Sequence, residues 1–295
     1  AHARSPGVTR PARRHAARTR QAMSLELHRF TQNAMATTFE VIIAGSAEVD
    51  ALYAAQAAEA IFTEIARLED ELSRFRHGSY ISQLNQLSAG DSLCVSLATW
   101  DCLSLAKTVF EESAGAFDIT IGPLMQLWRN EDGSLREPQP ERLALARRSI
   151  GSQLFDLDES DLRVTVRADH MVFDLGAIGK GYALDQAAAL LEEWSIPNAL
   201  LNAGDSTLLA LGTPTAEEPW SITLADGARS MTLRDRALSG SGFMVKGAHI
   251  MNPRTLRPHP VQDQRSYARA PSAALSDALS TAFMIMEPQE AQALC

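Results

Sequence analysis

No apolar run in the chain approaches the ~18 residues that a bilayer-spanning helix needs, and the mean hydropathy is −0.12. The sequence therefore holds no transmembrane segment. Cysteine is scarce. Cys94, Cys102 and Cys295 form no metal-binding spacing and cannot build a disulfide framework; Cys94 and Cys102 flank an apolar helical run and read as small hydrophobes. Acidic residues are missing from the first 25 positions, where six arginines fall within residues 1–22. Basic residues are sparse everywhere else: of 27 Lys and Arg, 21 lie beyond that segment, against 36 Asp and Glu. An acidic body excludes broad nucleic-acid binding, which requires a basic face. No apolar segment follows the arginines, so they do not open a secretory signal. Residues 1–33 are expected to be a disordered, Arg-rich leader. With no export signal or lipid-attachment cysteine in view, a cytoplasmic location is the default expectation.

What is present is ordinary globular material. The 295 residues, 45% hydrophobic and 21% charged, suffice for one large core or two lobes. Phe39, Val41 and Ile43 alternate as in a strand. From about Val49 to Phe75, Leu52, Ala55, Ile61, Ile65, Leu68 and Leu72 recur at three- and four-residue steps, which predicts a helix with one inward stripe. A short helical turn is expected through Ile81 and Leu84. Ser96 is a fair N-cap for a second helix carrying Leu97, Trp100, Leu103 and Phe110 inward. Residues 129–150, charged and punctuated by proline, read as a surface excursion. Leu162, Val164 and Val166, then Met171, Phe173 and Leu175, alternate around residues 167–170 and predict a hairpin. A helix is expected over Tyr182–Trp194, a buried strand over 199–201, strands near 220–224 and 231–233, and a last helix over 275–286. Hairpins mixed with long helices predict an α+β fold rather than a doubly wound parallel sheet. The domain is expected to span 34–287. Residues 288–295 form an end without a closing strand, read as a truncation.

Four constellations carry chemistry. Asp174 to Asp185 leaves a strand, crosses Gly176, Gly179 and Gly181, and enters a helix with Lys180 at its start. Glycine lets backbone approach a ligand, a helix N-terminus favours anions, and Lys180 adds positive charge for a phosphate. The spacing excludes a Walker loop, because Lys180 is followed by Gly181. Such a turn also serves packing alone. Asp277 and Thr281 lie four apart on the last helix, so a carboxylate and a hydroxyl share one face, a hard-oxygen pair suited to Mg²⁺. A helix-terminal acid with a back-bonded threonine gives the same pattern. His249 precedes a Pro253-centred turn, where functional and structural histidines both occur. Residues Gly115 to Pro123, with Leu127 and Trp128 behind, put aromatics next to backbone-rich turns and could wall a pocket for a flat ring; core packing accounts for them equally well.

Taken in order, the segments Met35 to Phe39, Ser79 to Asn85, Ala116 to Pro123, Asp174 to Asp185, Asn202 to Gly204, Ala237 to Gly240, His249 to Pro258 and Asp277 to Thr281 resemble the ApbE family of FAD:protein FMN transferases. They cover about residues 34–287. The resemblance implies a T-fold-like arrangement of mixed sheets with flanking helices and a cofactor cleft between lobes. It implies FAD contacts at Met35, Phe75, Ala116, Phe117, Asp118, Asp174, Lys180 and Met251. It implies Mg²⁺ held by the Ala177 carbonyl and the Asp277 and Thr281 side chains. Phe75 stands where tyrosine is common in the family, Asn252 where aspartate is, and Leu256 where glycine is; Asp205-Ser206 shifts an acid by one place. Members of the family are often exported or lipid-anchored, which this sequence does not display.

The implied reaction moves the FMN half of FAD onto a Thr or Ser hydroxyl of an acceptor redox protein and releases AMP. Lys180 is expected to stabilise phosphate charge and His249 to take the hydroxyl proton. Two other readings stay open: hydrolysis of FAD to FMN and AMP, and binding of FAD without turnover.

Overall fold

The computed structural model describes residues 26–295 apart from 131, 133, 216–217, 225–226, 228, 243–249 and 261–263. Its elements in chain order are β1 (Leu27–Ala34), β2 (Thr37–Ala44), α1 (Ala51–Leu72), α2 (Tyr80–Leu84), β3 (Ser92–Cys94), α3 (Leu97–Glu112), α4 (Gly122–Trp128), α5 (Pro140–Ala146), β4 (Phe155–Asp158), β5 (Arg163–Val166), α6 (Gly179–Glu193), β6 (Ala199–Ala203), β7 (Thr207–Leu211), β8 (Trp220–Thr223), β9 (Ser230–Leu233), β10 (Arg236–Gly242), β11 (Met251–Asn252), β12 (Arg257–Pro258), β13 (Arg265–Ala270), α7 (Ala273–Ile285) and α8 (Pro288–Leu294). The fold is α+β. A six-stranded sheet runs in the order β1-β2-β6-β7-β10-β13, antiparallel at every pairing.

The sheet is buried on both faces, and β2 shows why. Phe39, Val41 and Ile43 point into the main core, with Ile61, Ile65 and Leu68 of α1 and Ala183, Leu184 and Ala187 of α6. Ile42 points the other way, into a smaller core with Trp220, Ile222, Leu233 and Leu238. A period of two with apolar residues in both phases lets one strand serve two layers. The β8–β9 hairpin covers that second face. A three-stranded sheet, β3-β5-β4, stands apart from the main one.

The helical expectations hold with shifted ends: α1 is shorter than expected, and α6 and α7 begin three and two residues earlier. Asp50 caps α1 by accepting from the Tyr53 amide, and Ser96 caps α3 by accepting from the Thr99 amide. Both are short polar side chains that satisfy N–H groups the helix leaves unpaired. Leu52 and Leu97 depart from expectation: they are 68% and 62% exposed. Each lies on the helix face opposite the buried stripe, which runs through Ala54, Ala58, Ile61 and Ile65 in α1 and through Ala98, Cys102, Ala106 and Val109 in α3. The hairpin expected over 162–175 does not form. β5 pairs instead with β3 and with β4, the segment before it, and the turn falls at 159–162, with Leu162 at φ 53°. Residues 171–175 leave that sheet; Val172 makes a single parallel bridge to Ile121.

Two boundaries also move. Residues 27–33, assigned to the leader from sequence, form with Ala34 the edge strand of the main sheet in register with β2. Residues 288–294 form α8, closed by a reciprocal capping box between Glu287 and Glu290. The excursion at 129–150 contains α5, which starts with Pro140 in its first turn, where a missing N–H costs nothing.

Candidate active site

Two hairpin turns of the main sheet and the last residues of β10 gather at one end of it. The β1–β2 turn places Met35 at φ 48° and Ala36 at φ 57°. A two-residue turn of this hand wants Asn-Gly, and left-handed backbone costs about 1–2 kcal/mol at each such non-glycine residue. Strain held at Met35, one of the expected flavin contacts, belongs with function more often than with packing. The β6–β7 turn lies against it. Gly204 sits at φ +63°, and a Cβ there would fall 1.8 Å from Thr37 Oγ1, so only glycine fits. The Gly204 amide donates to Thr38 O at 2.9 Å, and the Gly240 amide of β10 to Ser206 O at 2.8 Å.

The glycine-rich turn before α6 faces α7. Asp174 Oδ1 accepts from the Gly176 amide at 2.8 Å, while Oδ2 pairs with Arg74 Nε at 3.0 Å. Lys180 donates to Gly176 O at 2.8 Å and reaches Asp277 Oδ2 at 3.3 Å. The two charged side chains are 13% and 6% exposed, so their attraction is screened far less than a surface pair's. One turn further along α7, the Ser241 hydroxyl lies 3.2 Å from Thr281 Oγ1 and 2.8 Å from Ser280 Oγ. The fold thus brings Asp174, the Gly176–Lys180 turn, Asp277, Thr281 and the end of β10 into one neighbourhood. Ala177 lies inside that turn with its side chain against the main core.

The Ala116 to Pro123 segment is laced to the same turn from below. The Asp174 amide donates to Ile119 O at 2.7 Å. Ala116 and Phe117 are buried. Asp118 is buried too, and its Oδ1 accepts from the Thr120 amide at 2.9 Å, the Thr120 hydroxyl at 2.8 Å and the Ser152 hydroxyl at 3.0 Å. Burial pushes the Asp118 carboxyl above the ordinary range, and these three donors pull it partly back. Phe75 is 81% exposed, with the Arg74 guanidinium 4.3 Å from its ring centroid. It stands at the mouth of a surface cleft of about 940 Å³ that Met125, Gln126 and Arg129 also line.

Met251 is placed elsewhere, in a small cluster with Leu124, Trp128 and Ile150. Arg254, just beyond it, ties that cluster to the Ala116 segment. It donates to Ser113 O at 2.7 Å and Ala114 O at 3.1 Å, and grips both Glu290 oxygens at 2.9 Å. The Arg254 hydrogen bond holds the Glu290 carboxyl below its usual range. His249 lies outside the described residues.

Asn85 is a site residue that the sequence marked without a role. Its Nδ2 donates to Phe173 O at 3.2 Å, and its Oδ1 accepts from the Phe173 amide at 2.6 Å. A side-chain amide here replaces a strand partner for the residue before Asp174. The hint in the sequence was an Asn at the C-cap of a short helix, with a side chain left free to pair elsewhere. Asn85→Ala leaves both backbone groups unpaired, at about 1–3 kcal/mol for each such group. Urea melts of the variant are expected to show a stability loss in that range; a loss below about 0.5 kcal/mol, the size of an ordinary surface change, refutes the clamp.

Comparison with known proteins places this geometry. The ApbE family model matches residues 35–295. The FAD:protein FMN transferase of Salmonella typhimurium is 27% identical over 288 residues, covering 88% of this chain and 78% of that protein. The apbe protein of Thermotoga maritima superimposes with a TM-score of 0.78 at 27% identity, covering 91% of this chain and 90% of its own. The apo flavinyl transferase ApbE of Pseudomonas stutzeri gives a TM-score of 0.81 at 24% identity, covering 92% and 89%, a likeness of fold. The order of the sequence segments, the architecture that carries them and the family match agree: this chain belongs to the ApbE family.

Proposed function

We propose that this chain is a flavin transferase that moves the FMN half of FAD onto a Thr or Ser hydroxyl of an acceptor redox protein, releasing AMP, in a Mg²⁺-dependent reaction. Family membership and the name of the Salmonella relative support the flavin chemistry. The observation that carries the rest is the contact between Lys180 and Asp277. Two segments 97 residues apart place a buried carboxylate, a partly buried ammonium and a glycine-bordered backbone turn together, a combination suited to a diphosphate.

The donor set fits a hard divalent cation. Asp277 is buried, and its one charged partner among the described residues is Lys180. Thr281 and the carbonyl of Ala177 add neutral oxygens, the ligand type that magnesium takes. When bound there, the cation supplies Lewis-acid neutralisation of the diphosphate and a template for it. Lys180 contributes a second positive charge over the phosphates as charge develops in the transition state. Asp174, fixed by Arg74 and the Gly176 amide, holds the turn in shape. Met35, Phe75, Ala116, Phe117 and Met251 are the apolar contacts assigned to the flavin, and Asp118 holds the segment beneath it.

The acceptor hydroxyl oxygen forms a bond to the FMN-side phosphorus, and the bond from that phosphorus to the bridging oxygen breaks. AMP leaves with the bridging oxygen and its electron pair. The hydroxyl proton passes to His249, a base of suitable basicity near neutral pH. Such a transfer depends on positioning and charge neutralisation more than on covalent help.

Incubation of the protein with FAD, Mg²⁺ and an acceptor peptide tests this. The expected result is a peptide gaining the mass of FMN with one AMP released per peptide modified, and no reaction in EDTA. AMP without a modified peptide identifies a hydrolase; FAD that persists unchanged identifies a binding protein.

A further inference from the structure

Asp185 closes the same sequence segment that carries Lys180, yet it has no place in the site described above. Lys180 and Asp185 are five residues apart on α6, which puts them about 140° apart around the helix at ~100° per residue. Asp185 therefore faces away from the phosphate side, and it lines a separate cavity of about 410 Å³ with Asp101, Tyr182 and Ser272. Its carboxylate does structural work there. Oδ1 accepts from the Ala273 amide at 2.7 Å and Oδ2 from the Ala274 amide at 2.9 Å. These are the first two amides of α7, which have no partner within their own helix. The Ser272 side chain takes the next free donor, the Leu275 amide, at 3.3 Å.

Gly181 lies one helical turn before Asp185 and on the same face. A Cβ on it would fall 2.2 Å from Ala273 O, so α6 and α7 meet there backbone to backbone. One face of α6 thus holds the start of α7 twice, through the Asp185 carboxylate and through the close approach at Gly181. Ala273, Asp277 and Thr281 follow at four-residue steps along one stripe of α7. Whatever fixes Ala273 in height and rotation fixes the two oxygen donors below it.

We infer that Asp185 is the positioning residue of the metal site: it locks α7 to α6, and so holds Asp277 and Thr281 against the Gly176–Lys180 turn. This rests on the metal reading given above. Groups that orient metal ligands without touching the metal are worth about 10–100-fold in affinity, which sets the expected scale.

The test is Mn²⁺ binding, measured by electron paramagnetic resonance on the full chain without substrate, alongside thermal melts. Asp185→Ala is expected to weaken Mn²⁺ binding tenfold or more. Its FMN transfer should need correspondingly more metal and recover to within about threefold of wild-type kcat at saturation. Asp185→Asn keeps one acceptor oxygen and is expected to fall between, about threefold weaker than wild type; it decides the question if the alanine variant does not fold. Asp50→Ala is the control. It removes the comparable cap of α1, where Asp50 accepts from the Tyr53 amide at 2.8 Å, and it should lower the melting temperature without changing Mn²⁺ affinity. Wild-type affinity in the folded Asp185 variants overturns the inference and leaves the metal site standing. An equal loss in Asp50→Ala overturns it too, since general destabilisation then accounts for the effect. A wild-type protein that binds no Mn²⁺ overturns the metal reading and the inference with it.

Discussion

Asp277→Ala is expected to lose FMN transfer by about 10³-fold or more in kcat/KM, equivalent to ~4 kcal/mol of transition-state stabilisation, measured as AMP release with FAD, Mg²⁺ and acceptor peptide. Two consequences of the substitution have to be kept apart. The first is chemical: the only carboxylate of the proposed donor set disappears. The second is electrostatic: the Lys180 ammonium, 13% exposed and 3.3 Å from the missing oxygen, is left with the neutral carbonyl of Gly176. An unpaired charge at a buried site destabilises by about 3–5 kcal/mol, so the alanine variant is expected to melt earlier as well. Asp277→Asn separates them. It preserves volume and one oxygen, and softens the stability loss while still removing the negative charge a divalent cation requires. Activity near wild type in a folded Asn or Ala variant sinks the assignment of Asp277 as a ligand. A variant that is inactive but has unaltered Mn²⁺ affinity sinks it equally, because the loss then has another origin.

The parts of this site that were legible in the sequence are those encoded locally. A glycine-rich crossing from strand to helix, and an acid and a hydroxyl four apart on a helix, are patterns of a dozen residues or fewer. Apolar periodicity found α1, and together with the Ser96 N-cap it found α3, for the same reason. What the sequence could not display is how such pieces meet. The Lys180–Asp277 contact spans 97 residues and the Asn85 clamp on Phe173 spans 88, and no local pattern names either partner. The failed hairpin has a related cause. Phe173 reads as a strand residue because it alternates with Met171 and Leu175, but the partner for its N–H and C=O is the side chain of Asn85 rather than a neighbouring strand. Leu52 and Leu97 were placed inside because they are apolar, but each falls about half a turn around the helix from the positions that are buried. Asp185 was read as the end of a motif; the spacing that reveals its role is the four-residue step from Gly181, whose meaning depends on the helix lying opposite.

Lys180→Met gives the second large effect, and its sign under metal addition discriminates between roles for the lysine. Methionine fills the space of the lysine stem with an unbranched apolar chain, so packing is largely kept while the charge is lost. Asp277 then becomes the buried group without a counter-charge, and the melting temperature in EDTA is expected to fall, by an amount corresponding to about 3–5 kcal/mol. A divalent cation at the same carboxylate restores the missing charge. A ligand that binds only the native state stabilises it by RT ln(1 + [L]/Kd). With no ammonium sharing Asp277, Mg²⁺ should bind the variant more tightly and raise its melting temperature further than it raises that of the wild type. Transfer should nevertheless stay depressed at saturating Mg²⁺, by about 10²–10³-fold, the usual scale for removing one preorganised charge-stabilising donor. Stability recovered by metal together with activity not recovered assigns Lys180 two functions, counter-ion to Asp277 in the free protein and phosphate ligand during the reaction. A metal-induced shift in the variant no larger than in the wild type means that the ammonium and the cation do not share this carboxylate. The proposed metal site must then be sought away from α7.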